Sequence, residues 1–358
     1  MKRITIVGAG PSGAALAYFL AQEGFDVTVY DGAPPGFKAC GWAVPKEVER
    51  YLKISDEHVL TKIKRFRVYL DGELAKEGYE STWGYIIDKP SFLKSLLEQS
   101  DFRRMFVTLA KVFEESRPEK EEIQTVIATG SYTPPPYRAQ RDYITAVQKI
   151  LKVKERVDTD TVEFWFDSNM VGYYWVFPRD ERVVDVGVGG YEPPQRLLTR
   201  LETFTRLRFP DHEAKSHAKG APINVGGAEP DALMQNPPVI GEAAGFVFPL
   251  TGEGIRPSIA TAFALKERIV RGADPRKEVA EVAWWINTQR RILNVVRRSS
   301  PESRARLLQS IPLDLFVKLG LGTLRARELL IALPTFLKIS PTLVQLLREA
   351  GAGETRGR

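Results

Sequence analysis

The stretch ITIVGAGPSGAALAYFLAQEGFDVTVYD, residues 4–31, decides the fold class of this 358-residue chain. The β-branched run Ile4–Val7 predicts a short strand, and the glycine turn at 8–13 precedes an alanine-rich segment typical of a helix. Gly24 is the expected helix stop, and the residues after it predict a second strand. This order indicates the phosphate-binding unit of a Rossmann-like, dinucleotide-binding domain.

Each residue of the turn has its own expected role. Gly8 permits the tight turn, Gly10 lets a pyrophosphate approach the backbone, and Gly13 allows close packing of helix on strand. The pyrophosphate is expected beside Ser12 at the helix N-terminus, where unpaired N–H groups favour negative charge. Asp31, which ends the second strand, is placed to accept a hydrogen bond from a ribose hydroxyl.

The composition is that of a folded protein with two or three lobes. Hydrophobic residues make up 43% of the chain and charged residues 27%. The net charge of +6 favours anionic partners, such as a phosphorylated ligand or an anionic membrane surface. We find no nucleic-acid recognition motif, and no run of about 18 apolar residues that predicts a membrane span.

Cys40 is the one cysteine of the chain, which excludes an internal disulfide and a cysteine-based metal cage. The three histidines show no ligand spacing, so no metal is predicted. A reducing, cytoplasmic environment is expected. Lys38 stands two residues before the cysteine, where its charge would favour a thiolate if the two side chains lay close together.

Later segments point to FAD rather than NAD. TVIATG at 125–130 predicts a strand ending in a small-residue turn at Ala128 and Gly130, and 238–245 predicts another strand. TGEGIRPS at 251–258 then opens a helix. In order and spacing these elements resemble the flavoprotein fold in which FAD lies extended, with its ring at the last helix N-terminus. The further residues expected to contact FAD are Gly241, Glu242, Gly252, Gly254 and Ile255.

One segment, GYYWVFP at 172–178, is unusually aromatic. In a strand, Tyr173, Trp175 and Phe177 share one face, which is either sheet core or the wall of an apolar cavity. The next run, VVDVGVGG at 183–190, alternates valine and glycine as a strand does. Its glycines allow close approach to a neighbouring strand or to the flavin ring.

The sequence Tyr173-x-Trp175-x-Phe177-Pro178 resembles the YxWxFP signature of the geranylgeranyl reductase family. This family is a branch of the flavoproteins built like p-hydroxybenzoate hydroxylase, and the similarity covers about residues 1–272. KACGW at 38–42 looks like the cysteine-bearing loop of the family near the flavin. DKPSFL at 88–93 looks like its acidic turn leading into a helix.

The resemblance implies that these aromatic side chains line a cavity beside the flavin that accepts an isoprenoid chain. Cys40 would either donate a proton or shape the site. The predicted catalytic residues are Cys40, Tyr173, Trp175 and Phe177. Cys40 and Gly41 are also predicted to contact FAD. The predicted substrate-binding residues are Trp42, Tyr173, Trp175, Phe177, Pro178 and Gly189.

Three positions depart from the pattern of the family. Glu242 stands in place of the usual aspartate and reaches one methylene further. Trp42 replaces a glycine, which would reshape the substrate path. Arg256-Pro257 brings bulk and charge to the start of the last FAD helix, although proline suits a first turn.

We therefore expect an α/β (α+β) fold: a Rossmann-like FAD-binding domain, an inserted, mostly antiparallel β-sheet substrate domain and C-terminal helices. The FAD-binding domain comprises 1–60, 86–140 and 236–273, and the sheet domain comprises 61–85 and 141–235. Residues 274–358 form the helical region, which is rich in basic and apolar residues. It is either a helical cap on the core or a basic collar in peripheral contact with anionic membrane lipid.

The expected reaction is saturation of double bonds in geranylgeranyl chains, in precursors of membrane lipids, by hydride transfer from reduced FAD. Electrons would come from NAD(P)H or from a ferredoxin, docking transiently because the chain has no second glycine turn. Two alternatives stay open. One is a flavin-dependent monooxygenase of the p-hydroxybenzoate hydroxylase type, and the other is a non-catalytic lipid-binding or electron-relay flavoprotein. The expected location is the cytoplasm, including the inner face of the membrane.

Overall fold

The structure, a computed structural model, describes residues 2–105, 123–133 and 141–324. In chain order, the strands of this part are β1 (Arg3–Val7), β2 (Asp26–Asp31), β3 (Ala43–Pro45), β4 (Val59–Leu70), β5 (Glu73–Ile87), β6 (Asp101–Arg104), β7 (Thr125–Ile127), β8 (Tyr143–Lys152), β9 (Thr161–Phe166), β10 (Gly172–Asp180), β11 (Val183–Gly190), β12 (Glu213–Ala214) and β13 (Lys219–Asn224). The α-helices are α1 (Pro11–Gln22), α2 (Lys89–Leu97), α3 (Pro194–Arg208), α4 (Ile255–Arg271), α5 (Pro275–Arg298), α6 (Pro301–Ser310) and α7 (Leu313–Leu321).

The smaller sheet is parallel, with the strand order β6–β2–β1–β7. The chain passes from β1 through the glycine turn into α1, and α1 packs against α4 in the main apolar core. The predicted strand at 238–245 is wrong. Val239 makes only an isolated bridge to Ile127, and Gly241–Ala244 form a 3-10 turn because Gly241 adopts a left-handed φ of +69°.

The larger sheet has the order β12–β8–β11–β10–β9–β4–β5–β3, and β13 also pairs with β8. Its strands run antiparallel to their neighbours except for the parallel pair β4 and β9. A parallel Rossmann-like sheet next to a mostly antiparallel one confirms the predicted fold class. The division into domains stays a prediction. Ala43–Pro45, assigned by the sequence to the FAD-binding domain, pair with β5 of the larger sheet.

Strand β10 divides its side chains between two apolar clusters, as the alternation predicts. Trp175 and Phe177 belong to a cluster on one face of the sheet. Tyr174 and Val176 belong to another, which contains the buried leucines of α3. The aromatic face is therefore directed to the side on which the FAD-site loops and α7 lie.

The C-terminal region begins as the predicted helix, with Val279 and Ile286 of α5 fully buried. Residues 325–358, which complete the predicted helical region, lie outside the described residues, as do 106–122 and 134–140 of the predicted FAD-binding domain. Of the helices that the structure describes, none is both long enough and apolar enough to cross a bilayer.

Candidate cofactor and substrate cavity

The glycine turn after β1 has the shape that a dinucleotide requires. Gly8 has a φ of +112°, and a Cβ there would lie 2.2 Å from the carbonyl oxygen of Ala128. A Cβ on Gly13 would lie 1.9 Å from the carbonyl oxygen of Gly8. A Cβ on Gly10 would meet no atom within 4 Å, so open space remains in front of the N-terminus of α1. The residues present thus fit a pyrophosphate at this helix end.

Asp31 lies at the same edge of the cavity. One carboxylate oxygen accepts a hydrogen bond from the Ala9 N–H at 2.7 Å, and the other accepts from Ala33 N–H at 2.9 Å. These bonds fix the carboxylate beside the glycine turn. Each oxygen can accept further hydrogen bonds, as a ribose contact requires.

Glu242 is held by protein partners. One of its oxygens accepts from Lys38 Nζ at 2.5 Å, and the other accepts from the Asn224 N–H at 3.0 Å. Lys38 also donates to Ser131. The ammonium of Lys38 is therefore paired with this carboxylate and not with the Cys40 thiol.

Arg256 does not intrude on the cavity. Its guanidinium lies 3.1 Å from Glu253 in a buried ion pair and donates to the carbonyl oxygen of Leu321 at 2.5 Å. Burial raises the pKa of Glu253, and the arginine opposes that rise. The Arg256 side chain does not line the cavity, so it lies outside the expected flavin position.

One continuous cavity of about 1350 Å³ joins the cofactor residues to the aromatic face. All the predicted site residues line it except Gly13, Gly241 and Pro178. The two glycines serve packing, and Pro178 pairs with Val184 and lies on the opposite face. Pockets for a single drug-sized ligand span about 300–1,000 Å³. This cavity has room for a cofactor together with a second ligand.

The aromatic wall combines Tyr173, Trp175 and Phe177 with rings from β9. Phe164 packs edge-on against both Tyr173 and Phe177, with ring centroids 5.6 and 5.5 Å apart. The Tyr173 hydroxyl donates to the carbonyl oxygen of Thr251, at the start of the loop that leads to α4. Burial raises the pKa of Tyr173, so its phenol stays protonated at neutral pH.

The loop at 38–42 packs onto this wall. A Cβ on Gly41 would lie 2.7 Å from the Phe177 ring, so only glycine fits there without displacement. Cys40 is half-buried, and its Sγ accepts from the Trp42 N–H at 3.5 Å. Lys89, which is 4% exposed, donates to the Lys38 carbonyl oxygen at 3.0 Å. Burial lowers the pKa of Lys89, and the neighbouring Cys40 opposes this effect.

The sequence analysis missed a buried ion pair behind the aromatic wall. Arg179 donates to Asp185 at 2.6 Å, and the other oxygen of Asp185 accepts from the Trp175 indole at 3.1 Å. The Asp185 side chain has no exposed surface, and burial raises its pKa against the pull of Arg179. Alternation places both charged residues on the inward face of their strands, but it does not reveal that the two side chains meet, which depends on the pairing of β10 with β11.

Within the described ranges, no group of three or more His, Cys, Asp or Glu side chains could hold a metal ion. The cavity combines residues that suit a dinucleotide, the glycine turn and Asp31, with an aromatic wall that suits an apolar ligand.

Two family models match the chain. Residues 6–51 match a NAD(P)-binding Rossmann-like domain, and residues 142–228 match the geranylgeranyl reductase catalytic domain. The second range holds β8 to β13, and therefore the aromatic wall. This match confirms the resemblance to the geranylgeranyl reductase family.

Curated relatives agree with this resemblance. The digeranylgeranylglycerophospholipid reductase of Methanoculleus marisnigri is 25% identical over 77% of this chain and 79% of that protein. The protein of the same name from Methanocaldococcus jannaschii is 26% identical over 70% of this chain and 72% of its own length.

Solved structures show the same fold. A geranylgeranyl bacteriochlorophyll reductase-like protein from Thermoplasma acidophilum superposes with a TM-score of 0.71 at 17% identity, covering 95% of this chain and 98% of that one. A variant of HpxO from Klebsiella pneumoniae, solved in complex with FAD, gives a TM-score of 0.64 at 12% identity over 90% of this chain and 98% of that one.

Proposed function

We propose that this chain is an FAD-dependent reductase that saturates carbon–carbon double bonds in the geranylgeranyl chains of membrane-lipid precursors. One observation carries the proposal. The glycine turn, the Cys40 loop, the aromatic wall and the loop before α4 all line one cavity. The match to the geranylgeranyl reductase catalytic domain and the names of the curated relatives support the substrate class.

FAD supplies a hydride to one alkene carbon when it is bound in its reduced form. The glycine turn would hold its pyrophosphate, and Asp31 would bind its ribose. The loop at 251–255 would face its ring, where the start of α4 favours negative charge. The Gly10 position leaves the backbone open for this contact.

The remaining task of the protein is alignment of an alkene that carries no polar group near the reacting bond. Tyr173, Trp175 and Phe177 offer broad apolar faces that hold the chain and exclude water. The second alkene carbon needs a proton. The Cys40 thiol lines this cavity. We propose that Cys40 either donates this proton or only shapes the site around the substrate.

Two finer proposals concern partners. The end of α5 exposes Arg291 and Arg297, and we propose that this surface contacts anionic membrane lipid. Electrons would arrive from NAD(P)H or from a ferredoxin that docks transiently. The chain has no second glycine turn of the kind found at 8–13, which supports transient docking over a resident nicotinamide site.

The test is a single turnover without oxygen. FAD-loaded protein is reduced by light and mixed with a digeranylgeranylglycerophospholipid, and flavin reoxidation is followed by absorbance. Mass spectrometry of the lipid should show a gain of two hydrogens for each saturated bond. A parallel reaction with oxygen tests the monooxygenase alternative, which would be established if the flavin is reoxidised only there and the lipid gains an oxygen atom. Binding of FAD and lipid without any reoxidation would establish the non-catalytic one.

A further inference from the structure

A row of paired residues crosses the cavity face of the larger sheet and changes from apolar to polar along its length. Trp175 of β10 pairs with Gly187 of β11, Gly187 with Gln148 of β8, and Gln148 with Lys219 of β13. Side chains directly opposite each other on antiparallel strands share one face. Trp175, Gln148 and Lys219 all line the cavity, so the row runs along its wall.

Gln148 is a polar group inside this wall. Gln148 is only 7% exposed. Its Oε1 has no hydrogen-bond partner in the part of the chain that the structure describes. A buried amide without a partner is costly, and such groups usually meet a ligand or a water molecule. An amide can accept through its oxygen and donate through its nitrogen. The unpartnered oxygen therefore suits a hydroxyl group, which can donate to it, and the amide nitrogen can donate to a phosphate oxygen; a hydrocarbon can do neither.

Lys219 adds positive charge at the end of the row. Its residue is exposed, and its Nζ lies 5.4 Å from the centroid of the Phe37 ring. Phe37 lines the same cavity and is 60% exposed, so this end of the row opens to solvent. An ammonium at an open end can meet an anion that keeps part of its hydration shell.

We propose that Gln148 and Lys219 form a subsite for the oxygenated, anionic end of an amphipathic isoprenoid. The isoprenoid chain of the ligand then runs from Lys219 past Gln148 towards Trp175. This direction determines which of its double bonds reach the flavin. The inference rests on the proposed reductase function and adds the orientation of its substrate. The ligand chemistry is a phosphate or hydroxyl on an isoprenoid, as a free prenyl phosphate or as a lipid head group.

Binding to the oxidised, FAD-loaded protein tests the subsite without turnover. The probes share one chain and differ at its end: geranylgeranyl phosphate, geranylgeraniol and the corresponding hydrocarbon without oxygen. Changes in flavin absorbance report each Kd. Gln148→Leu should weaken the phosphate and the alcohol about tenfold and leave the hydrocarbon unchanged. Lys219→Met should weaken only the phosphate, by about threefold, because water screens an exposed charge.

The control is Lys215→Met, which removes an exposed lysine that does not line the cavity. It should bind all three probes as the wild type does. Parallel titrations with phospholipid vesicles carrying digeranylgeranyl chains separate a lipid head group from a free phosphate. If both variants bind all probes like the wild type, or if either loses FAD, the subsite is wrong. If the wild type keeps FAD and binds no probe, the proposed function itself fails.

Discussion

The guanidinium of Arg179 covers the indole ring of Trp42, with Cζ 3.6 Å from the ring centroid. Trp42 needs such support because its φ is +62°, in the left-handed region that residues with a Cβ seldom adopt. Trp42 is separated from Cys40 only by Gly41, so the two belong to the same loop. The stacked pair therefore fixes the loop that carries the cysteine.

A pair of variants separates backbone strain from ring stacking at this position. Trp42→Gly and Trp42→Ala both remove the indole, but only glycine relieves the left-handed strain, which costs about 1–2 kcal/mol. The glycine variant should therefore have a free energy of unfolding higher than that of the alanine variant by about 1 kcal/mol. Urea unfolding measures the difference. Equal stabilities would show that the loop relaxes out of the left-handed conformation.

Gly187 leaves no room for an added methyl group beside the aromatic wall. A Cβ there would lie 2.0 Å from the Trp175 ring, whereas a Cβ on Gly189 would have its nearest contact at 3.7 Å. Gly187→Ala should displace the indole, lower stability by about 1–3 kcal/mol and slow flavin reoxidation by substrate. Gly189→Ala, on the same strand, is the matched control and should melt like the wild type. Equal melting temperatures for the two variants would contradict this account of the wall.

Gly10→Val should abolish FAD binding without unfolding the protein. The new side chain meets no protein atom near its Cβ, so it fills the space expected for the pyrophosphate. The purified variant should be colourless, and its apoprotein should melt at the temperature of wild-type apoprotein. Normal FAD content in this variant would place the cofactor elsewhere.

Tyr173→Phe should change how stability depends on alkaline pH. The pKa of a tyrosine in the unfolded chain is about 10. In the folded protein, burial raises the pKa of Tyr173 above that value. Above that pH the folded state binds more protons than the unfolded state, so stability falls as pH rises. The variant lacks this contribution and should lose less stability between about pH 9 and 11. Parallel curves for variant and wild type would mean that the phenol is not buried in solution.

The sequence predicted the fold class because its signals are local. The glycine turn, the alternating aromatic strand and the helix at 255 each need only neighbouring residues to be recognised. Gly241 shows where local signals fail. Residues 239–241 continue the pattern of a strand, but Gly241 adopts a left-handed conformation and the chain turns there. Propensity alone does not reveal that the chain must turn there to pack against Ser12.

The candidate site was predictable where a motif carries it and not where tertiary contacts do. Cys40 and the aromatic residues were found from their pattern, and they line the cavity. Lys38 was considered as a neighbour of Cys40 because the two are close in sequence, but its partner Glu242 is 204 residues away. Asp185 was missed because its ion pair with Arg179 depends on the pairing of β10 with β11.

The bond from Arg256 to the Leu321 carbonyl oxygen links the end of α7 to the first turn of α4. Arg256 is held there by its ion pair with Glu253, so the last described helix and the loop facing the expected flavin ring form one mechanical unit. A force applied to α7, for example by docking on a surface, must either break this bond or move the loop with it. A contact that shifts α7 would therefore act on the loop beside the expected flavin position through one buried arginine, although Arg256 and Leu321 are 65 residues apart in sequence.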